Sequence, residues 1–189
     1  WEIPAISEAA RKQLESLPAI LSERKESWRY LGFKHVNGPA KWSSYAKAAY
    51  IADVHRTYQI SLTDIANQIG DRHRTVQRLY RGLMVIEQAE REGVYDREDR
   101  FRKSFAFSHL YTGLDYDGIS SFIDLTSENE ESAEPVPSDK LQELGQLCLW
   151  LYGSRKENLP PVVESQNPHL RQLDAILKNR GAVAALKAG

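Results

Sequence analysis

Basic and amide side chains are concentrated in one short segment of the chain, between Arg72 and Arg81. This segment contains four arginines, one histidine and one glutamine but no acidic residue. The concentration is informative because the chain as a whole is nearly neutral, with a formal net charge of −1. Guanidinium and carboxamide groups donate hydrogen bonds to phosphates and to base edges in the major groove of DNA. The segment therefore predicts a surface that contacts a nucleic acid.

A helix through this segment separates its polar residues from its apolar ones. Successive residues of an α-helix are about 100° apart, so residues three or four positions apart share a face. The predicted outer face carries Arg74, Gln77, Arg78 and Arg81, and the predicted inner face carries Val76, Leu79, Tyr80 and Leu83. Arg72 and His73 fall in the expected first turn of the same helix.

A second, shorter helix is predicted immediately before it, so that Ser61–Arg81 reads as two helices joined by a tight turn. Ser61 and Asp64 have the spacing of a capping box, with Asp in place of the usual Glu. Asp71 is placed to cap the second helix. Both helix starts are therefore marked by residue type.

The turn between the two helices has its own pattern: small Ala66 at the close approach, Gly70 at the turn and β-branched Val76 as an anchor. Glycine adopts the positive φ that such a turn requires. This spacing is typical of a DNA-binding helix-turn-helix. The alternative is an ordinary helix pair whose charged face is simply solvated.

On the helix-turn-helix hypothesis, Arg74 and Gln77 contact bases, since arginine pairs with guanine and glutamine with adenine. Arg78 and Arg81 either read bases or clamp phosphates. One such module covers only a few base pairs, so useful affinity for double-stranded DNA favours a homodimer or an additional contact.

Contacts to the phosphate backbone are expected beside the base-reading residues. Ser61 and Thr63 stand at the start of the first helix, whose N-terminus attracts anions, and Thr75 could play the same part. Lys41, Lys47 and Arg56 either add positive charge or are ordinary solvated surface.

The composition is that of a globular protein: 189 residues, 41% hydrophobic and 27% charged. No apolar run approaches the ~20 residues that a membrane span needs. Cys148 is the only cysteine, which excludes a disulfide within the chain and favours a reducing compartment. The expected location is cytoplasmic and, given the predicted DNA binding, nucleoid-associated. The chain begins with Trp1, so we expect it to be a piece of a longer protein.

The expected fold is mainly α, a helix-turn-helix bundle with a second small helical unit. Residues 1–40 form an N-terminal helical arm, the tail of a possible upstream domain, and residues 41–125 form the DNA-binding domain. Residues 126–138 are acidic and contain prolines, which favours a solvated linker over a segment that mimics nucleic acid. Residues 139–189 form a C-terminal helical unit that packs on the first domain or pairs with another subunit.

Within these units the elements are predicted from periodicity. Gly32–Val36 alternates like a short strand, and a support helix runs from Trp42 to about Arg56. That helix is capped by Ser43 or Ser44, with Ala46, Ala49, Tyr50 and Val54 on its inner face. The basic helix continues to about Gly93, and short helices follow up to Leu125, with a turn at Asp117-Gly118.

The block from Trp42 to Leu125 resembles the central DNA-binding domain of the ParB family of partition proteins and their ParB-like relatives. The resemblance rests on Ala46, Ala49 and Tyr50, on Ser61 to Ala66, on Ile69-Gly70 and on Thr75-Val76 and Leu79. It implies an all-α module whose segment Arg72–Arg81 enters the major groove, with a role in plasmid partition or transcription regulation. The arginine-rich CTP motif of the family's upstream domain is not found in this sequence, so the resemblance implies no cofactor here.

Other chemistries find little support in the sequence. The five histidines are scattered, and Asp115-Tyr116-Asp117-Gly118 lacks the remaining ligands of a calcium loop. Cys148 lies in an apolar run, where a buried inert thiol is favoured over a nucleophile. The sequence therefore favours a binding protein over an enzyme, with any nucleotidase or nuclease activity in a missing N-terminal domain. The alternative function is a protein-interaction module of a larger ParB-like nuclease or defence protein, binding through its C-terminal Trp, Tyr and Leu residues.

Overall fold

The computed structural model describes residues 7–14, 19, 21–37, 42–129 and 131–188. The regular structure of these residues is helical, which confirms the predicted mainly α fold. The α-helices are α1 (Glu8–Leu14), α2 (Arg24–Gly32), α3 (Ser44–Tyr58), α4 (Leu62–Ile69), α5 (Thr75–Arg91), α6 (Phe107–Gly113), α7 (Asp117–Phe122), α8 (Leu141–Tyr152), α9 (His169–Leu177) and α10 (Arg180–Ala188). Short 3-10 turns span Arg97–Asp99 and Ser138–Lys140. None of the described helices combines the length and the apolar character needed to cross a bilayer.

The strand predicted at Gly32–Val36 is wrong. Gly32 ends α2, and Phe33–Asn37 form a π-helical turn. Val36 is buried by this turn, and its carbonyl accepts a hydrogen bond of 2.7 Å from Lys47 Nζ. The described residues contain no strand that could pair with this segment, so a helical turn and a lysine satisfy its backbone instead.

The support helix α3 starts as predicted but turns a different face inward. Ser43 is the N-cap, and its hydroxyl accepts a hydrogen bond from the Ala46 amide. The buried residues are Ala48, Ile51, Ala52 and Val54; of the predicted inner face only Val54 is among them, while Ala46 and Tyr50 are half-buried and Ala49 is exposed. Tyr50 points toward α2 instead, where its hydroxyl donates to the carbonyl of Trp28 at 2.6 Å.

The central element is α5, which continues to Arg91 and is followed by Gly93 at φ +68°, as the pattern predicted. Its buried residues run along most of its length, from Val76 to Ala89, because α3, α4, α6 and α8 all contact it. A single hydrophobic core includes buried residues from Trp28 to Leu173. The two predicted helical units therefore share one core, and the C-terminal unit packs on the first.

The acidic segment between these units is attached to α5 for part of its length. Pro135 and Val136 are buried, and Val136 pairs with the side chain of Gln88. Closer to α6, Asp117 and Gly118 open α7 and do not form the predicted turn. The Gly118 amide donates to Asp174 Oδ1 at 2.7 Å, so the start of α7 is held by α9.

Candidate nucleic-acid interface

The first helix of the candidate interface is capped at both ends as predicted. The Ser61 hydroxyl accepts a hydrogen bond of 3.0 Å from the Asp64 amide and donates one of 2.7 Å to Asp64 Oδ2. At the other end Gly70 has φ +72°, and its amide bonds back to the carbonyls of Ala66 and Asn67. These two caps fix where α4 begins and ends, and the turn at residues 70–74 follows directly.

The turn is longer than predicted, because α5 begins only at Thr75. Arg72 and His73 lie in the turn, not in the first helical turn, and Arg74 precedes the helix at φ +55°. Asp71 is therefore not the N-cap residue, yet its carboxylate still receives the Val76 amide at 2.7 Å and the His73 amide at 3.0 Å. One carboxylate thus fixes the turn and satisfies a backbone donor at the start of α5.

The apolar faces that were predicted to hold the two helices together are buried. On α4 these residues are Leu62, Ile65, Ala66 and Ile69, and on α5 they are Val76, Leu79, Tyr80 and Leu83. The opposite side of α5 is less covered in its first turns, where Arg74 is exposed and Gln77, Arg78 and Arg81 are partly buried. That side carries the predicted polar residues.

A cleft of about 370 Å³ lies on this outer side of α5. Its lining consists of His73, Arg74, Gln77, Arg78, Arg81 and Asp115. The structure therefore brings five of the predicted site residues together. Arg72 is exposed in the adjoining turn, whereas Ser61, Thr63 and Thr75 lie outside the cleft lining.

The acidic residue in this lining was missed by the sequence analysis. Asp115 Oδ2 lies 2.5 Å from Arg78 Nη2, and Asp115 Oδ1 lies 2.6 Å from Arg81 Nη2. Arg81 is the more covered of the two arginines, with 14% of its side chain exposed against 32% for Arg78. Asp115 is separated from Arg81 by 34 positions in the sequence, so no local pattern could have indicated the contact.

Part of the hydrogen-bonding capacity of the cleft is unused. Gln77 Oε1 and Arg78 Nε are buried atoms that have no hydrogen-bond partner within the described part of the protein. The Arg78 guanidinium lies over the ring of Tyr111, 5.5 Å from its centroid. The cleft therefore combines guanidinium groups with one carboxylate, Asp115, which pairs with two of them.

Of the three basic residues that either add positive charge or are ordinary solvated surface, the structure describes Lys47 and Arg56, and both are engaged within the chain. Lys47 is engaged with the Val36 carbonyl. Arg56 pairs with Glu87 at 3.0 Å and also contacts the Met84 sulfur at 3.1 Å. Lys41 lies outside the described residues.

The other candidate residues, Cys148, Trp150 and Tyr152, lie in the hydrophobic core. Cys148 is fully buried, and burial raises the pKa of its thiol. Trp150 and Tyr152, which the protein-interaction alternative placed at a binding surface, are buried in the core. Within the ranges that the structure describes, no three His, Cys, Asp or Glu side chains are grouped so as to hold a metal ion.

Comparisons with protein-family models, curated proteins and solved structures give no significant match. The resemblance to ParB-like domains therefore stays a prediction that rests on the residues given above.

Proposed function

We propose that this chain binds double-stranded DNA with sequence specificity, and that the first turns of α5 enter the major groove. The observation that carries the proposal is the cleft in which His73, Arg74, Gln77, Arg78 and Arg81 lie together. A major groove about 12 Å wide accepts one α-helix, and the guanidinium and amide groups on such a helix match guanine and adenine edges. The preceding helix then crosses the backbone, as in other two-helix DNA-binding units.

Within this proposal the residues of the cleft and of the adjoining turn divide by position. Arg74, at the start of α5, and Gln77, one turn later, read bases, and exposed Arg72 neutralises a phosphate. Thr63 is better suited than Ser61 to a phosphate at the start of α4, because the Ser61 hydroxyl already bonds the Asp64 carboxylate. Two copies of the chain would provide the interface area that specific complexes need.

Within this proposal the chain is a binding module and not an enzyme. Its resemblance to ParB-like domains supports a role in partition or transcription regulation at the nucleoid. The competing protein-interaction proposal is weaker, because the Trp and Tyr residues on which it partly depended, Trp150 and Tyr152, are buried.

The test is enrichment of bound duplexes from a random pool, followed by measurement of Kd at two salt concentrations. We expect one enriched sequence, palindromic if the protein binds as a dimer, and an affinity that falls steeply with salt. An unenriched pool would remove sequence specificity from the proposal. Binding that is absent, or insensitive to salt, would overturn the proposal as a whole.

A further inference from the structure

We propose that Asp115 determines the specificity of the DNA-binding surface by holding Arg78 and Arg81 as a fixed pair of base-reading groups. The inference rests on the proposed DNA binding and assigns a role to a residue outside the two-helix unit. The chemical feature that the pair would recognise is the N7 and O6 edge of guanine in a duplex.

Asp115 bridges Arg78 and Arg81, an arrangement that we call the Asp115 clamp. Each Asp115 oxygen accepts from a different arginine, at 2.5 Å for Arg78 and 2.6 Å for Arg81. The arginines are three positions apart on α5 and therefore share a face of the helix. Arginine loses considerable rotamer entropy when it is ordered, and a pair that is already ordered loses less on binding.

The clamp is supported by a well-anchored segment. Asp115 directly follows α6 and Leu114, which is buried, and the Asp115 amide bonds to the Thr112 carbonyl at 3.1 Å. Helix α6 lies close to α5, because Tyr111 packs against the backbone at Gly82. The Asp115 carboxylate is therefore held at a defined distance from the arginines.

The same carboxylate has a second, electrostatic consequence. Non-specific binding comes from the attraction between cationic side chains and phosphates, and a negative charge in the cleft weakens it at every sequence. Hydrogen bonds to base edges depend on the positions of the N–H groups, which the clamp fixes. Asp115 therefore lowers general affinity and raises discrimination between sequences.

The test compares Asp115→Asn with the parent on two duplexes, the one enriched by the parent and a scrambled one of equal length. Asparagine keeps the shape and removes the charge. We expect tighter binding to the scrambled duplex, a slope of log Kd against log salt that is larger by about one, and a specificity ratio reduced about tenfold. Asp115→Glu, which restores the carboxylate, is expected to recover the ratio in large part.

Asp139→Asn is the matched control, because Asp139 is exposed in the 3-10 turn Ser138–Lys140, outside the cleft. It makes the same change of charge and is expected to leave the ratio at the parent value. Thermal unfolding of all variants establishes that they fold. Asp115 is about one-third exposed, so Asp115→Asn should fold. If it does not, the specificity ratios of Asp115→Glu and Arg81→Lys test the role of Asp115 instead.

The outcomes separate this inference from the proposed function. If the parent binds no duplex, DNA binding itself is overturned and the role of Asp115 with it. If the parent discriminates between the duplexes and Asp115→Asn keeps the same ratio, only the role of Asp115 is overturned. An equal gain in affinity for both duplexes would make Asp115 a competing anion and would also overturn the positioning role.

Discussion

Gln88, on the buried side of α5, pairs through its side-chain amide with the backbone of Val136. Its Nε2 donates to the Val136 carbonyl at 2.7 Å, and the Val136 amide donates to its Oε1 at 2.9 Å. Both residues are buried. The Gln88 carboxamide therefore satisfies both backbone groups of Val136 and holds the end of the acidic segment against the core.

Gln88→Ala is expected to reduce the free energy of unfolding by about 2 kcal/mol or more. The substitution leaves the amide and the carbonyl of Val136 buried without partners, and each such group costs about 1–3 kcal/mol when water does not reach it. Chemical denaturation measures the change. Gln172→Ala, at an exposed position of α9, is the control and should stay within about 0.5 kcal/mol of the parent. Equal stability of the two variants would show that the pairing with Val136 contributes nothing.

Gly82→Ala is expected to destabilise the protein, although alanine favours helices. A Cβ at this position would lie 2.8 Å from Tyr111 Cβ and 3.3 Å from Tyr111 Cα, so α6 would have to move away from α5. Such overpacking costs about 1–3 kcal/mol, more than the ~1 kcal/mol that helix propensity returns. The melting temperature should fall accordingly.

The matched control for this prediction is Gly181→Ala in α10. There the nearest atom to the added Cβ is Asn179 Oδ1 at 3.4 Å, and the site is exposed, so propensity acts alone. We expect Gly181→Ala to be neutral or slightly stabilising. A similar gain in melting temperature for Gly82→Ala would contradict the close approach of α5 and α6.

His109 is expected to make the protein less stable as the pH falls below about 6.5. Burial, together with the positive charge of Arg102 and the proximity of His169, lowers the pKa of His109 in the folded protein. In the unfolded chain this residue has the ordinary pKa of about 6.5. Below that pH His109 is protonated in the unfolded chain but stays neutral in the folded protein. The free energy of unfolding therefore falls with falling pH, until the pH passes the lower pKa that His109 has in the folded protein.

His109→Phe tests this contribution, because phenylalanine keeps a ring and cannot titrate. The free energy of unfolding should fall between pH 7.5 and pH 5.5 by more in the parent than in the variant. All other titrating groups are common to both proteins, so the difference isolates His109. Identical pH profiles would contradict the prediction.

The two-helix unit could be predicted from sequence because its determinants are local. The Ser61 cap depends on Asp64, three positions away, and the positive φ of Gly70 depends on the absence of a side chain. Buried positions on α4 and α5 follow from strong apolar residues at helical spacing. Such signals do not require knowledge of the rest of the fold.

The features that sequence did not reveal depend on distant partners. The prediction for the inner face of α3 was wrong because alanines lie on several sides of that helix. Its packing against α5 determines which of them are buried. Asp115 reaches Arg81 across 34 positions, and Gln88 reaches Val136 across 48. An acidic, proline-containing segment is typical of a linker, whereas its attachment to the core depends on Gln88 and Arg91 of α5, more than 40 positions away.

Arg74→Ala is expected to weaken binding to the selected duplex by about 1–3 kcal/mol and to relax the preference at one base position. Arg74 is exposed and lines the cleft at the start of α5, where an arginine can pair with a guanine edge. Alanine also carries a Cβ, so the positive φ of +55° at this position is no more strained than in the parent. Folding should therefore be preserved.

Fluorescence anisotropy on the selected duplex and on duplexes with single base changes measures the effect of Arg74→Ala. Arg171→Ala, which removes an exposed arginine from α9, is the control for the loss of one positive charge. If Arg74 reads a base, the variant loses affinity for the selected duplex and discriminates less at one position, because the remaining contacts are unchanged. A uniform loss at every sequence, with a salt slope smaller by about one, would make Arg74 a phosphate contact instead. Unchanged affinity, as expected for Arg171→Ala, would exclude Arg74 from the interface.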